Sequence, residues 1–212
     1  MRLFLYKYIC CMKTDYLNLY TNLNEFEQII LQSTKDWVEK YVKPKIEKSF
    51  ISGIPLSLKN ELAELGAFGS IFPEKYGGLD FNFTAFGLMM KELEKGDSSI
   101  RVASSIQTSL VMNAIFSYGS EYQKEKYLSK IATAEIKTAY ALTEPSAGSD
   151  ANSGRTKAII NQKENCYMIT GQKMWITNSG FADLFIVFAK IEDDEKLSAF
   201  IIEKAFGGIT LG

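Results

Sequence analysis

The sequence predicts an α+β multidomain protein, in which an all-α domain is followed by an antiparallel β-domain. Apolar residues recur at helical spacing over most of the first 136 residues. After that point, short alternating apolar runs are separated by turn sequences, which is the pattern of β-strands. We therefore expect an N-terminal extension over residues 1–20, a helical domain over 21–136 and a β-domain over 137–212.

Five helices are expected in the first part. Asn24 and Glu27 form a capping pair before the first helix, and Gly66 ends the second. Ser120 and Gln123 form a capping box before the last. The apolar faces, which we expect to be mainly core, are in chain order Phe26, Ile30, Trp37 and Tyr41; Leu58, Leu62 and Leu65; Phe86, Met89, Met90 and Leu93; Val102, Ile106, Leu110 and Ala114; and the segment that ends at Ile131.

Six runs in the second part have the alternation of strands. They are "KTAYALT", "RTKAII", "NCYMIT", "KMWIT", "LFIVFAK" and "LSAFIIEK", and the turn "NQKEN" joins the second and third as a hairpin. So few antiparallel strands do not close a barrel and leave a sheet edge exposed. Because the sequence stops at "AFGGITLG", just after a strand and a turn, we expect a truncated chain with an incomplete β-barrel.

Composition excludes several classes of function. The chain has no histidine, so nucleophiles activated by histidine and metal sites with histidine ligands are excluded. A net charge of -1 gives no electrostatic basis for binding nucleic acid. The cysteines Cys10, Cys11 and Cys166 lack the spacing of a zinc site or a disulfide framework, which indicates a reducing compartment. Cys166 lies in a strand-like run and is expected to be a small buried side chain.

The N-terminal segment "MRLFLYKYICCM" is apolar and mildly basic, but it is too short to span a bilayer. It has no clean secretory cleavage pattern, and Arg2 alone does not make an arginine-rich presequence. An ordinary frayed terminus and a targeting segment both remain open. We do not expect secretion.

The segment "AYALTEPSAGSD", Ala139–Asp150, allows two interpretations. Gly148, between Ala147 and Ser149, can let successive backbone N–H groups point into one concavity that suits phosphate oxygens. The hydroxyl groups of this segment add donors, while its two acids oppose a purely anionic ligand. Alternatively, it is a Pro/Gly/Ser turn whose hydrogen bonds are satisfied internally.

The segment "MWITNSG", Met174–Gly180, is the second candidate. Trp175 and Thr177 are two residues apart, so in a strand they would point to the same side. A flat apolar surface beside a hydroxyl donor suits a planar heteroaromatic ring. The alternative is that Trp175 is a core aromatic residue and Thr177 an ordinary strand residue.

Taken together, the two segments resemble the acyl-CoA dehydrogenase family. The resemblance is carried by "AYALTEPSAGSDA" followed by "GQKMWITNSGFADLFIVFAK", and it extends to "YGSEYQKEKYLSKIATAE", "PEKYGGLD" and "AFIIEKAFGGITLG". It covers most of the chain after about Leu58 and is looser before. The last segment is most similar to the very-long-chain branch and its bacterial long-chain relatives.

The resemblance implies a subunit with an N-terminal helical domain, a central β-barrel and a C-terminal four-helix bundle, of which the bundle is absent here. It implies FAD as cofactor and oxidation of an acyl-CoA thioester to the trans-2-enoyl-CoA in fatty-acid β-oxidation. Its implied partners are a long-chain acyl-CoA, an electron-transferring flavoprotein and, at full length, further copies of the subunit. The location would be cytoplasmic in a bacterium and mitochondrial in a eukaryote.

The family's flavin residues carry over to eight positions of this chain. The resemblance implies that Leu142 and Thr143 meet the pyrimidine edge of the flavin, and that Gly148 and Ser149 meet the pyrophosphate, with Ser149 also near the CoA portion of the substrate. It implies that Trp175 covers one face of the isoalloxazine and that Thr177 hydrogen-bonds near N5. The remaining two flavin-lining positions are Tyr140 and Ile176.

The family's catalytic base is a glutamate of the C-terminal domain, and no residue up to Gly212 corresponds to it. Glu144 is interpreted as part of the loop scaffold rather than as the base. Many relatives carry a histidine where Gln107 stands, so Gln107 is given no role. Two further interpretations remain open: an acyl-CoA oxidase or flavin monooxygenase of the same fold, and a non-catalytic truncated product that binds or assembles with full-length subunits.

Overall fold

The computed structural model of the chain describes residues 18–47 and 58–212. Helices come first and a five-stranded sheet follows, as the sequence predicts. The expectations for the first seventeen residues, including Cys10 and Cys11, lie outside the described residues. The α-helices are α1 (Glu25–Trp37), α2 (Leu58–Glu64), α3 (Phe83–Gly96), α4 (Ser98–Ser105), α5 (Asn113–Tyr118) and α6 (Glu121–Ala132).

The predicted helix ends are confirmed at atomic detail. The side chain of Asn24 accepts a hydrogen bond from the backbone N–H of Glu27 at 2.9 Å, and the Glu27 carboxylate accepts one from Asn24 N–H at 3.0 Å. Ser120 and Gln123 form the same reciprocal box before α6. These bonds satisfy N–H groups that the first turn of a helix leaves without partners.

Two π-helical segments interrupt the regular helices. Val38–Val42 continues α1, and Ile106–Met112 joins α4 to α5 into one helical run. A π-turn holds an extra residue, so it rotates the face of the helix that follows. The predicted repeat at every fourth residue therefore fails at Leu110, whose side chain is exposed, while Gln107 is buried.

The helices enclose a core in which α1, α2, α3 and α4 meet. Its buried side chains are Trp37, Val38, Val42, Leu62, Phe68, Met89, Leu93 and Ile100. Gly96 allows the close approach of α3 to the end of α1, because a Cβ there would lie 2.7 Å from Val38 Cγ1. Gly78, in the loop "PEKYGGLD", has no room for a side chain, since a Cβ would lie 1.7 Å from the carbonyl oxygen of Phe72.

The sheet consists of β1 (Thr138–Ala141), β2 (Lys157–Asn161), β3 (Cys166–Thr170), β4 (Leu184–Ile191) and β5 (Leu197–Glu203). The β2–β3 hairpin is antiparallel as predicted, and β5 runs antiparallel along β4. The expectation of antiparallel pairing is wrong for the other two contacts. β4 pairs in parallel with β1 and, at its end, with β2. Long connections separate these strands, which is what parallel pairing requires.

The two faces of the sheet have different surroundings. Tyr140, Leu184 and Ile186 belong to the core that also contains the helical residues Ile115 and Leu128. The opposite face contributes a smaller cluster around buried Ala139, Ala182 and Phe185. The sheet is not closed, and within the described ranges only the short 3₁₀ turn Lys204–Phe206 follows β5 as regular structure.

Cys166 is exposed at the start of β3, so its predicted burial is wrong. The physical reason is its position beside the hairpin turn of a strand that has a neighbour on one side only. No helix in the described part of the chain is long and apolar enough to cross a membrane.

Candidate functional site

The loop after β1 is built on a tight turn. Glu144 and Ala147 exchange backbone hydrogen bonds of 3.0 and 3.1 Å, which place Pro145 and Ser146 at the exposed tip. The turn interpretation is therefore correct for the first half of the segment. It also means that the N–H of Ala147 is already used.

The second half of this loop is open. The backbone N–H groups of Gly148 and Ser149 have no hydrogen-bond partner among the described residues, and both residues are exposed. Gly148 does not have a positive φ, so it does not supply the left-handed step of a backbone nest. A Cβ at this position would meet nothing within 4 Å. What the loop offers is room for a ligand to approach two free N–H donors.

Glu144 is buried and organises the loop. Its carboxylate accepts hydrogen bonds from the backbone N–H of Arg155 and Thr156 at 2.5 and 3.0 Å, from the Thr156 hydroxyl at 2.5 Å and from Lys173 Nζ at 2.8 Å. Burial by itself raises the pKa of a carboxyl group, but the hydrogen bonds from Lys173, Thr156 and Arg155 outweigh it and lower the pKa of Glu144 to about 2. With these four hydrogen bonds the carboxylate holds the loop in place, which agrees with the scaffold role expected from the sequence.

Lys173 and Met174 join the second candidate segment to this loop. Lys173 Nζ also donates to the carbonyl oxygen of Leu142 at 3.1 Å, and the N–H of Met174 donates to the carbonyl oxygen of Thr143 at 2.9 Å. The structure thus brings the two segments side by side, although about thirty residues separate them. Lys173 was not among the residues predicted from the sequence. The signal available for it was a lone charge at the start of the apolar run "KMWIT".

The expectation that "KMWIT" forms a strand is wrong. The segment is irregular, with a bend at Trp175, and it leads into a turn that begins at Thr177; Trp175 and Asn178, the residue after the segment, have positive φ angles of 58° and 69°. Asn178 Nδ2 anchors the turn by donating to the carbonyl oxygen of Thr138 at 3.1 Å. Because a left-handed residue breaks the alternation of a strand, the argument that placed Trp175 and Thr177 on one side does not hold.

Trp175 is exposed over 84% of its surface, so it is not a core aromatic residue. With Ile176 it borders a cavity of about 1060 Å³ on the sheet face away from the helices. The cavity is also lined by Thr156, Lys173, Phe185 and the segment 206–212. Of the eight predicted flavin residues, Trp175 and Ile176 are the two that line it.

The other predicted residues lie around or behind this cavity. Thr143, Gly148, Ser149 and Thr177 are at the partly or fully exposed rim formed by the loop and the turn. Tyr140 lies on the opposite sheet face, with its ring 5.1 Å from that of Phe188. Burial there raises the pKa of the Tyr140 hydroxyl. Of the predicted positions, the structure thus places Trp175 and Ile176 at the cavity, joins Leu142 and Thr143 to the same segment through Lys173 and Met174, and leaves Tyr140 behind the sheet.

No group of three or more histidine, cysteine, aspartate or glutamate side chains in the described part of the chain is arranged to hold a metal ion.

Comparisons with known proteins identify the family. Residues 24–135 match the family model for the acyl-CoA dehydrogenase N-terminal domain, and residues 139–212 match that for the middle domain. A probable acyl-CoA dehydrogenase of Bacillus subtilis (strain 168) is 37% identical over 93% of this chain and 34% of its own length. The mitochondrial very long-chain specific acyl-CoA dehydrogenase of Rattus norvegicus is 36% identical over 88% of this chain and 28% of its own length.

Among solved structures, a glutaryl-CoA dehydrogenase from Mycobacterium smegmatis in complex with FADH2 superposes with a TM-score of 0.83 at 33% identity, over 89% of this chain and 48% of that one. The chain thus spans about a third of the curated relatives and about half of the solved one. Since the two domain models together match nearly all of the sequence after residue 23, the chain belongs to the acyl-CoA dehydrogenase family.

Proposed function

We propose that this chain contributes the N-terminal domain and part of the middle domain of an FAD-dependent enzyme that oxidises an acyl-CoA thioester to the trans-2-enoyl-CoA. One structural observation supports the proposal in addition to family membership. The loop after β1 and the turn that holds Trp175 come from distant parts of the sequence, and they are joined by the hydrogen bond from Met174 N–H to the Thr143 carbonyl oxygen at 2.9 Å.

The residues at this rim fit a flavin dinucleotide. The free N–H groups of Gly148 and Ser149 are suited to pyrophosphate oxygens, and the open space at Gly148 lets a phosphate approach the backbone. The exposed indole of Trp175 offers a flat apolar surface for an isoalloxazine ring. Thr143 and Thr177 would provide hydroxyl groups to the ring, with Leu142 and Ile176 as apolar neighbours. Tyr140 would act from behind the sheet.

In this proposal the chain's residues bind and orient, and do not exchange the proton. When bound, FAD would supply the acceptor for a hydride from the substrate β-carbon, and a base would be needed to remove the α-proton. Glu144 is unsuited to that role because its carboxylate already accepts four hydrogen bonds and has a pKa of about 2. We propose that the base comes from outside residues 1–212, and that Ser149 lies near the CoA portion of the substrate.

The finer assignments follow from the family. We propose a long-chain acyl-CoA as substrate, an electron-transferring flavoprotein as electron acceptor and a homo-oligomeric full-length protein. The curated relatives include bacterial and mitochondrial proteins, so the proposed location is the cytoplasm or the mitochondrion.

Flavin absorbance tests the proposal directly. The 212-residue chain is purified alone and also extended by the segment that follows the matched region in the Bacillus subtilis relative. The extended protein should retain FAD, and Trp175→Ala should weaken retention, while Tyr122→Ala, at another exposed aromatic residue on α6, should not. An extended protein that binds no flavin would refute the proposal. Reduction of an electron-transferring flavoprotein, against consumption of oxygen, separates the dehydrogenase from an oxidase or monooxygenase.

A non-catalytic role in assembly is a second candidate, and the open sheet favours it. In the described part of the chain β5 pairs with β4 alone, so its other edge has free backbone groups. This candidate predicts that the chain binds no FAD by itself and co-purifies with a co-expressed intact relative. Monomeric behaviour in that experiment would exclude it.

A further inference from the structure

The buried ion pair between Glu144 and Lys173 occupies the junction between the two segments of the rim. The Lys173 and Glu144 side chains are only 12% and 4% exposed, with Nζ and Oε1 2.8 Å apart. The carboxylate accepts hydrogen bonds from the backbone N–H groups of Arg155 and Thr156, which lead directly into β2. Lys173 divides its hydrogen bonds between this carboxylate and the carbonyl oxygen of Leu142.

The covalent neighbours of this pair are the residues that face the ligand. Glu144 directly follows Thr143, and Lys173 stands two residues before Trp175. Any shift of the pair is therefore transmitted through one or two peptide units to both walls of the rim. Met174, between Lys173 and Trp175, adds the single backbone bond to Thr143.

Trp175 depends on its neighbours for a fixed position, because its own side chain makes little packing contact. It is 84% exposed, so packing does not fix the ring, and its φ of 58° is a conformation that L-residues rarely adopt. The turn is held from its two ends: at one by Lys173, and at the other by Asn178, which donates to the Thr138 carbonyl oxygen. The second anchor ties the turn to the start of β1, whereas Lys173 ties it to the loop, together with the backbone bond from Met174 N–H to the Thr143 carbonyl oxygen.

We propose that the Glu144–Lys173 pair is a positioning device that holds Trp175 in register with the loop Thr143–Ser149, so that a flavin meets a preformed rim. The flavin part of this inference rests on the proposed function, whereas the positioning part does not. Neither residue contacts the reacting atoms. A buried pair suits the task because removing either partner leaves the other charge uncompensated, which makes the arrangement all-or-none.

Fluorine NMR of the chain labelled with fluorotryptophan tests the positioning without any ligand. The sequence has two tryptophans, and the resonance of Trp175 is assigned by its loss in Trp175→Phe. Trp37, buried in the helical core, is an internal control for the fold. Glu144→Gln and Lys173→Met should each shift or broaden the Trp175 resonance and leave that of Trp37 unchanged. The double variant should add nothing, and Lys173→Arg should restore the wild-type signal at least in part.

Two control substitutions should have no effect, and either of two results would contradict the proposal. Lys163→Met and Glu164→Gln, in the exposed β2–β3 turn, should leave both resonances unchanged. An unchanged Trp175 resonance in Glu144→Gln and Lys173→Met would overturn the proposal. So would a parallel change at Trp37, including general unfolding, because the pair would then be a stabiliser of the whole chain rather than of the rim.

FAD titration of the same substitutions in the extended protein then tests the link to function. If loss of the pair leaves the rim correctly arranged about one tenth of the time, the apparent Kd for FAD rises about tenfold. If Lys173→Met changes the Trp175 resonance yet binds FAD as the wild type does, preformation of the flavin rim is refuted. If the extended protein without substitutions binds no FAD, the proposed function fails, while the fluorine experiment still decides the positioning.

Discussion

Gln107 Oε1 accepts hydrogen bonds from both the backbone N–H and the hydroxyl of Thr138, at 3.0 and 2.9 Å. The same amide donates through Nε2 to the carbonyl oxygens of Ile131 and Ile136, at 2.9 and 2.8 Å. One buried side chain on the π-helical segment thus joins the end of α6 to the start of β1. It links the helical part of the chain to the first strand of the sheet.

Gln107→Leu is expected to destabilise the fold by roughly 2–4 kcal/mol, because leucine fills similar space but leaves several buried polar groups without partners. Urea unfolding followed by circular dichroism measures the change. Gln162→Leu, in the exposed β2–β3 turn, should change the free energy of unfolding by less than about 0.5 kcal/mol. Equal effects of the two substitutions would show that the Gln107 amide contributes no more than a surface residue.

The ionised carboxylate of Glu144 should stabilise the fold near neutral pH and make its stability fall in acid. Its folded-state pKa of about 2 lies below the ordinary 4.5, so its contribution is complete above pH 4.5 and is lost as the pH falls towards 2. The shift corresponds to at most about 3 kcal/mol, and screening by solvent around the pair reduces this to roughly 1–3 kcal/mol.

Urea unfolding at several pH values between 5 and 2 measures this contribution. Glu144→Gln has no charge to lose at this site, so its stability should fall less steeply with acid than that of the wild type. The two curves should therefore converge towards pH 2. Parallel curves across the whole range would mean that the Glu144 pKa is the same in the folded and unfolded states.

Features encoded by neighbouring residues could be predicted from the sequence. The capping pairs at Asn24 and Ser120 depend on side chains three residues apart, and the β2–β3 hairpin depends on one turn. The two candidate segments could be recognised because each is contiguous. The tight turn was also accessible, since Pro145 restricts the backbone locally, and the scaffold role of Glu144 followed from the family resemblance.

Features that depend on distant contacts could not be predicted. Glu144 meets donors that lie 11, 12 and 29 residues further along the chain. "KMWIT" alternates as a strand does, but the left-handed backbone at Trp175 and the hydrogen bond from Met174 N–H to the Thr143 carbonyl oxygen give it an irregular path instead. The partners of β4 are likewise set by tertiary packing, which explains why parallel pairing was missed. The structural role of Gln107 could not be predicted either, because its three partner residues come from α6, β1 and the connection between them.

Tyr127→Phe should weaken the tie between α6 and β5. The Tyr127 hydroxyl donates to Glu203 Oε1 at 2.6 Å, and Lys126 Nζ donates to the same oxygen at 2.8 Å. Tyr127 is buried, whereas the Lys126 side chain is 41% exposed. Loss of a hydrogen bond to a carboxylate at a buried site costs about 1–2 kcal/mol, and loss of an exposed ion pair costs about 0–1 kcal/mol.

A double-mutant cycle in chemical unfolding checks this order of effects. Lys126→Met is the comparison, and Glu203→Gln is the common partner. The coupling energy of Tyr127 with Glu203 should exceed that of Lys126 with Glu203. The opposite order would mean that charge, rather than the buried hydroxyl, joins α6 to the sheet.

Substitutions at Trp175 should separate stability from ligand binding. Because Trp175 has a φ of 58° and is 84% exposed, its side chain adds backbone strain and little packing. Glycine adopts this conformation freely, so Trp175→Gly should be more stable than Trp175→Ala by about 1 kcal/mol. Both should weaken FAD binding, since both remove the aromatic surface. At Glu125, exposed within α6, the order should reverse, with Glu125→Gly about 1 kcal/mol less stable than Glu125→Ala. If alanine is also the more stable residue at position 175, the left-handed backbone of the turn is refuted.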